Sequence, residues 1–139
     1  MDLPAHVDPA VFEKVRHCFA EALGLEDDEV AYDAKVIDDL GAESLDLLDI
    51  VYRLERAFDI RIPRGGIEKV TREGLERGEV YEVNGVLTEI ALEKLAAAMP
   101  EVPREEFAPG LKVSEVPFLF RVATFHALVV RILEEGPLG

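Results

Sequence analysis

The sequence is poor in cysteine, in basic residues and in long apolar runs. A single cysteine, Cys18, excludes an intrachain disulfide, which is typical of proteins of the reducing cytosol. No apolar run approaches the roughly 20 residues that a membrane-spanning helix needs. The N-terminus lacks the basic and apolar stretches of a secretory signal. We therefore expect a cytoplasmic protein without a membrane span.

Basic residues are outnumbered, with 15 Lys and Arg against 29 Asp and Glu, for a net charge of -14. Such a surface repels phosphate polyanions, so nucleic acid is an unfavourable partner, whereas basic protein surfaces are attracted. The acidity is concentrated in residues 1–63, which hold 16 acids and 6 bases. With 139 residues and 49% hydrophobic content, the chain suits one compact domain. We expect it to be a monomer.

The residues that most often carry catalysis or metal binding show no functional spacing. His17 and His126 lack metal-ligand spacing with each other or with Cys18, so we expect no metal site, and we expect both histidines at the surface or boundary of their helices. Cys18 lies on the apolar face of a predicted helix, where a thiol behaves as a small apolar group. Ser44 has no neighbouring base and no nucleophile elbow. We expect no catalytic residue and no enzyme activity.

Apolar residues at helical spacing predict three main helices. The first covers residues 9–23, with Asp8 as its N-cap and Gly24 after its end. The second covers residues 44–58. The last covers residues 118–133 and is apolar around most of its circumference, so we expect it to be largely buried.

The region between the second and last helices is different in character. Residues 68–77 predict a weak helix, and Asn84-Gly85 predicts a type I′ turn in a small hairpin over residues 80–87. Thr88 is a suitable N-cap for a helix over residues 89–98. The fold prediction is an all-α bundle in a single domain, with an insertion at about residues 65–117 that packs as short helices with this hairpin.

Ser44 follows a glycine-containing loop and starts an amphipathic helix. The simplest interpretation is an N-cap, in which its hydroxyl accepts a backbone hydrogen bond. The alternative is a modification site, because a phosphodiester is stabilised at a helix N-terminus. Acids surround this serine, so free phosphate would be repelled there, and an enzyme with a basic face would have to deliver the group.

The sequence Leu-Gly-Ala-Glu-Ser-Leu at residues 40–45 resembles the modification site of acyl carrier proteins, Leu-Gly-x-Asp-Ser-Leu, with Glu43 in place of Asp. The preceding Val-Ile-Asp-Asp-Leu at residues 36–40 is similar to the flank of that site. The exit Glu-x-x-Phe-x-Ile-x-Ile-Pro of the family's second helix is matched at residues 55–63. The similar register extends over about 55 residues.

The resemblance implies that Ser44 carries 4′-phosphopantetheine donated from coenzyme A, and that the thiol of this arm, rather than Cys18, holds an acyl group. It implies a helix face that partner enzymes recognise, formed by Asp39, Glu43, Leu45, Asp46 and Asp49. It also implies an interior for the acyl chain, lined by Ile50, Leu54 and Ile62. The implied partners are a phosphopantetheinyl transferase and an acyl-carrier synthetase or ligase, a ketosynthase or an acyltransferase of lipid or fatty-acid biosynthesis.

The chain also departs from the ordinary family pattern. Arginines stand at positions that are mostly acidic or neutral in ordinary carriers, namely Arg53, Arg56, Arg61 and Arg64. The length and insertion resemble specialised carriers of unusual or very long acyl chains. The insertion is either a surface decoration, tolerated at small entropic cost, or a functional addition that enlarges the apolar interior or forms a partner surface. A non-acylated adaptor that keeps the carrier fold is the alternative function.

Overall fold

The computed structural model describes residues 7–62 and 66–135, and within the latter range the side chains of residues 66–68 and 70 are not described. The predicted helix exit at Pro63, together with Arg64 and the first residue of the predicted insertion, Gly65, lies outside the described residues.

Helix α1 spans Pro9–Leu23, as the sequence predicts. Asp8 Oδ1 accepts a hydrogen bond of 2.9 Å from the backbone N–H of Ala10, and proline at the first helical position has no N–H to satisfy. Gly24 adopts φ +70°, the left-handed conformation that ends a helix at little cost for glycine. The local capping signals therefore set both ends of α1.

Helix α2 spans Ser44–Phe58, as predicted, and α5 spans Val122–Glu135. The last helix starts four residues later than predicted because Val113–Leu119 forms a 3₁₀ helix that contains Pro117, and Phe120 is extended. Its predicted burial is confirmed, since eight residues of α5 are buried. The prediction that His126 lies at the surface or boundary of its helix is wrong. This ring is buried on α5, with its centroid 5.8 Å from that of Tyr32, because α5 is enclosed on most sides.

A first core lies between α1, α2 and α5 and includes the long connection between α1 and α2. Helix α1 packs against both α2 and α5. Phe12 and Phe19 of α1 are fully buried, and the Phe19 ring meets Phe125 of α5 edge-on with centroids 5.4 Å apart. This core is the three-helix bundle that the sequence predicts.

The predicted insertion consists of short elements. Helix α3 spans Gly66–Glu73 and so ends earlier than predicted, α4 spans Glu89–Ala98, and β1 (Glu82–Val83) pairs antiparallel with β2 (Val86–Leu87). Asn84 and Gly85 adopt φ of 53° and 81°, as a type I′ turn requires, so the hairpin prediction is confirmed. Thr88 Oγ1 accepts a hydrogen bond from the backbone N–H of Ala91 and caps α4 as predicted.

These short elements enclose a second core that is separate from the first. Leu95 and Met99 of α4 and Val116 of the 3₁₀ helix are fully buried in it, with Tyr81 of the hairpin region and Phe107. Within the described ranges, Phe120 is the one apolar side chain that packs against both cores. The insertion is therefore a packed unit with its own apolar centre. No helix in the described ranges has the length and apolar character needed to cross a membrane.

Candidate functional site

A tight turn over residues 35–42 leads into α2. The carbonyl of Lys35 accepts hydrogen bonds from the backbone N–H groups of Asp39 (2.9 Å) and Leu40 (3.1 Å). The carbonyl of Val36 accepts one from the N–H of Ala42 (3.1 Å). The Asp39 carboxylate in turn accepts from the Lys35 N–H at 2.8 Å. We call residues 35–42 the attachment turn, because it fixes the chain immediately before Ser44.

Ser44 is the first residue of α2 and is exposed. The interpretation of Ser44 as the N-cap is wrong, because Glu43 occupies the capping position and the Asp46 carboxylate accepts a hydrogen bond of 2.8 Å from the Glu43 N–H. Within residues 7–62 and 66–135, the Ser44 hydroxyl has no hydrogen-bond partner. The helix start is therefore stabilised without this hydroxyl, which is free to be modified.

The surroundings of Ser44 fit a covalently attached phosphodiester. The hydroxyl stands at a helix N-terminus, where free N–H groups and the helix dipole favour an anion. Gly41, three residues earlier, adopts φ +76°, and an added Cβ there would meet no heavy atom within 4 Å. The turn is therefore uncrowded at Gly41. Ser44 Oγ would hold the arm by an ester bond to phosphorus.

Three large apolar side chains of α2 face solvent. Leu45, Leu48 and Tyr52 are 78%, 50% and 56% exposed. They recur at i, i+3 and i+7 and so share one face of the helix. Sequence reasoning found Leu45 but missed Leu48 and Tyr52. The available signal was that α2 has apolar residues on more of its circumference than burial against one neighbour requires.

The predicted acidic residues have different roles. Asp39 and Asp46 each accept a backbone hydrogen bond, so they also stabilise the attachment turn and the start of α2. Asp49 accepts a hydrogen bond of 3.1 Å from Arg53 Nε, and Arg53 also reaches Glu21 of α1 at 3.7 Å. Glu43 is exposed. The structure therefore places all four on or beside the exposed side of the helix start, with part of their charge already compensated.

The far half of the same helix carries positive charge. The Arg56 guanidinium lies over the Tyr52 ring at 5.6 Å from its centroid. Arg56 forms no ion pair with any residue of the described ranges. A cation on an exposed aromatic ring gives the α2 surface a basic and aromatic end, opposite to the acidic end at Ser44.

The three residues proposed to line an acyl interior lie in the first core. Ile50 and Leu54 are fully buried, and Ile62 is nearly so. The Ile62 N–H donates to the Glu55 carboxylate at 2.8 Å, which ties the chain after α2 back onto the helix. The structure therefore brings these residues into one apolar cluster.

Cys18 is buried on α1, as predicted. Burial raises the pKa of its thiol, and the Glu21 carboxylate raises it further. The thiolate is the form that accepts an acyl group or binds a metal. Within the described residues, no cluster of three or more His, Cys, Asp or Glu side chains could hold a metal ion.

The comparisons agree with this geometry. The profile of a family described as "Phosphopantetheine attachment site" matches residues 13–67, which include most of α1 and all of the attachment turn and α2. An acyl carrier protein of Clostridium acetobutylicum is 44% identical over 64 residues, which cover 46% of this chain and 83% of that protein. Those of Thermotoga maritima and Akkermansia muciniphila are 41% and 46% identical, over 79% of each relative. No solved structure matches the chain.

The bundle and the matched region define a phosphopantetheine-dependent carrier. The chain belongs to the acyl carrier protein family, and its cofactor is 4′-phosphopantetheine. The matches to these relatives cover less than half of the chain, and the second core lies outside the residues 13–67 that the family profile matches.

Proposed function

We propose that this protein tethers acyl intermediates as thioesters on a 4′-phosphopantetheine arm at Ser44 and presents them to enzymes of lipid or fatty-acid biosynthesis. The observation that carries the proposal is that Ser44, the first residue of α2, has an exposed hydroxyl that does not cap the helix. The cap is formed by Glu43 and Asp46 instead. The protein acts as a cytoplasmic, monomeric carrier and catalyses nothing itself.

Attachment of the arm requires an enzyme. Ser44 Oγ forms a bond to the phosphorus that bears pantetheine while the pyrophosphate P–O bond of coenzyme A breaks, adenosine 3′,5′-bisphosphate leaves, and the hydroxyl proton passes to a base. No histidine or lysine is found among the neighbouring residues 36–52 to serve as that base. We propose that the base is supplied by the phosphopantetheinyl transferase. The bound arm supplies the thiol on which the acyl group is held.

The exposed face of α2 is the surface that partners contact. Leu45, Leu48 and Tyr52 provide apolar area, and Asp39, Glu43, Asp46 and Asp49 provide the acidic end near the arm. Basic partners would be attracted to that end by charge. Tyr52 is a candidate anchor for such partners, since aromatic side chains are frequent anchors of interfaces. Ile50, Leu54 and Ile62 provide the apolar interior for the acyl chain.

The packing of the second core indicates whether the insertion could accommodate part of a long acyl chain. Its buried side chains pack on one another, and Phe120 alone among the described residues also packs against the first core. This arrangement supports a structural or partner-binding role for the insertion over an enlarged acyl interior. We therefore propose a single-domain carrier whose additional region does not itself lengthen the acyl site.

Intact-mass measurement after incubation with coenzyme A and a phosphopantetheinyl transferase tests the function. The chain has two serines, so Ser114→Ala is a matched control for Ser44→Ala. We expect one arm on wild type and on Ser114→Ala, and none on Ser44→Ala. No arm on wild type with several transferases would favour the adaptor alternative. An arm retained on Ser44→Ala would refute only the site.

A further inference from the structure

A buried arginine joins the second core to the start of α5. The Arg121 side chain is 8% exposed, and its Nη2 donates to Glu106 Oε2 at 2.6 Å while its Nη1 donates to the carbonyl of Leu119 at 2.6 Å. Glu106 belongs to the 3₁₀ helix Arg104–Glu106 within the insertion. A buried charge is tolerated only where its partner is held in place. This pair therefore fixes the insertion against the segment that precedes α5.

The same glutamate also reaches the attachment turn. Lys35 Nζ lies 3.8 Å from Glu106 Oε1, and the Lys35 backbone faces that of Arg121 in an antiparallel bridge. The Val36 N–H donates to the carbonyl of Phe120 at 3.0 Å. The Glu106 carboxylate thus forms ion pairs with both Lys35 and Arg121, which lie on the two segments joined by the bridge.

The attachment turn begins at Lys35, so the position of this residue determines where Ser44 is presented. The Lys35 carbonyl accepts two of the hydrogen bonds that close the turn, and its N–H is bound by Asp39. One short turn therefore separates the Glu106 contacts from the first residue of α2.

We propose that Glu106, with Arg121 and Lys35, forms a latch by which the insertion positions the attachment turn for the transferase. The three are positioning residues, since none of them approaches the Ser44 hydroxyl among the contacts described. The consequence for modification rests on the proposed function of Ser44. The latch itself does not depend on it.

The latch predicts a particular kinetic effect. A loosened turn lowers the fraction of protein that is competent to bind the transferase, and a lowered competent fraction raises the apparent KM. Once the complex has formed, Ser44 is held by the transferase, so kcat is expected to stay the same. A merely structural role in overall stability would not produce this split under conditions where the variant is folded.

Glu106→Gln in the full-length protein tests the latch, with Glu105→Gln as the matched control. Glu105 is in the same 3₁₀ helix and is exposed, and it has no ion pair within the described ranges. For Glu106→Gln we expect hydrogen exchange at the amides of Asp39, Leu40 and Ala42 to accelerate by about tenfold or more, because a buried arginine loses its charge partner. We expect the amides of α1 to be unaffected, and the transferase KM to rise with kcat constant. Glu105→Gln should match wild type.

Lys35→Gln is a second variant that does not threaten folding, because its ion pair is partly exposed. Its expected acceleration at the same amides is about threefold, as suits a partly exposed pair. Equal acceleration in α1 and in the turn, or an unchanged turn in both variants, would overturn the latch. An unchanged KM with a faster-exchanging turn would overturn its role in modification. Failure of wild type to accept any arm would instead refute the proposed function, while the exchange result would still decide the latch.

Discussion

The Asp46 carboxylate accepts a hydrogen bond of 2.8 Å from the backbone N–H of Glu43, so these two residues close the start of α2 around Ser44 without using its hydroxyl. If the serine also served as the cap, esterification would weaken the backbone hydrogen bond that its oxygen accepts. In the proposed function, the modified hydroxyl and the helix cap therefore belong to different side chains. We therefore expect that addition of the proposed arm costs no helix stability.

This separation predicts that Ser44→Ala leaves the free energy of unfolding within about 0.5 kcal/mol of wild type, as for surface substitutions. Asp46→Ala is expected to lower it by about 1 kcal/mol, the typical value of a lost cap. Urea denaturation of both variants measures the difference. A loss of about 1 kcal/mol or more in Ser44→Ala would show that the hydroxyl does contribute to the cap.

The exposed face of α2 predicts a loss of partner binding without a loss of stability. Tyr52→Ala is expected to lower kcat/KM for arm transfer about tenfold, since an aromatic anchor contributes more than 1 kcal/mol to a typical interface. Val83→Ala, at an equally exposed apolar position of the hairpin, should have no effect. Steady-state kinetics with the transferase provides the measurement. Equal effects of the two substitutions would place the partner surface elsewhere.

The buried face of α2 predicts the opposite behaviour. Leu54→Ala is expected to lower the free energy of unfolding by about 2–5 kcal/mol, because it leaves a cavity in the first core. Leu48→Ala, on the exposed face of the same helix, should change it by less than about 0.5 kcal/mol. Thermal or urea unfolding monitored by circular dichroism checks both values. Comparable losses would mean that Leu48 is buried in solution.

Burial of Cys18 predicts a stability that depends on alkaline pH. The pKa of this thiol is raised in the folded state from the ordinary value of 9.0, so the unfolded chain ionises first. The stability contributed by the neutral thiol is therefore fully present below pH 9.0 and is lost as the pH rises toward the folded pKa. Burial and Glu101 also raise the pKa of Tyr32, which adds a similar loss at higher pH.

Denaturation of wild type and Cys18→Ala between pH 7 and 10 measures this effect. The variant will be less stable at neutral pH because it loses a buried sulfur, but its stability should fall less steeply above pH 9. Parallel curves would contradict the predicted ionisation. Slow alkylation of the folded wild type at pH 8, compared with rapid alkylation in urea, should accompany the result.

The sequence predicted those elements whose ends are set by local chemistry. Helices α1 and α4 begin where Asp8 and Thr88 cap them, and the hairpin turns where Asn84-Gly85 requires it. Each signal acts within a few residues, so no tertiary contact is needed to recognise it.

What the sequence did not reveal depends on distant parts of the chain. The burial of His126 follows from the packing of α5 against Phe12 and Tyr32, more than 90 residues earlier. The separation of the two cores depends on which apolar faces meet, and periodicity identifies a face but not its partner. At the candidate site, the motif indicated Ser44, whereas the cap by Asp46 and the contact of Glu106 with Lys35 required coordinates.

Among the described residues, Phe120 is the one apolar side chain that packs against both cores, and this has a consequence for the evolution and engineering of such carriers. A carrier of ordinary length need not repack its interior to acquire a region of this kind, since the new apolar surface is satisfied within the new region. Its attachment requires one aromatic residue before the last helix and a few polar contacts. Apart from contacts such as those of Glu106 with Lys35 and Arg121, the additional region can therefore diversify in sequence while the bundle that bears Ser44 stays constant.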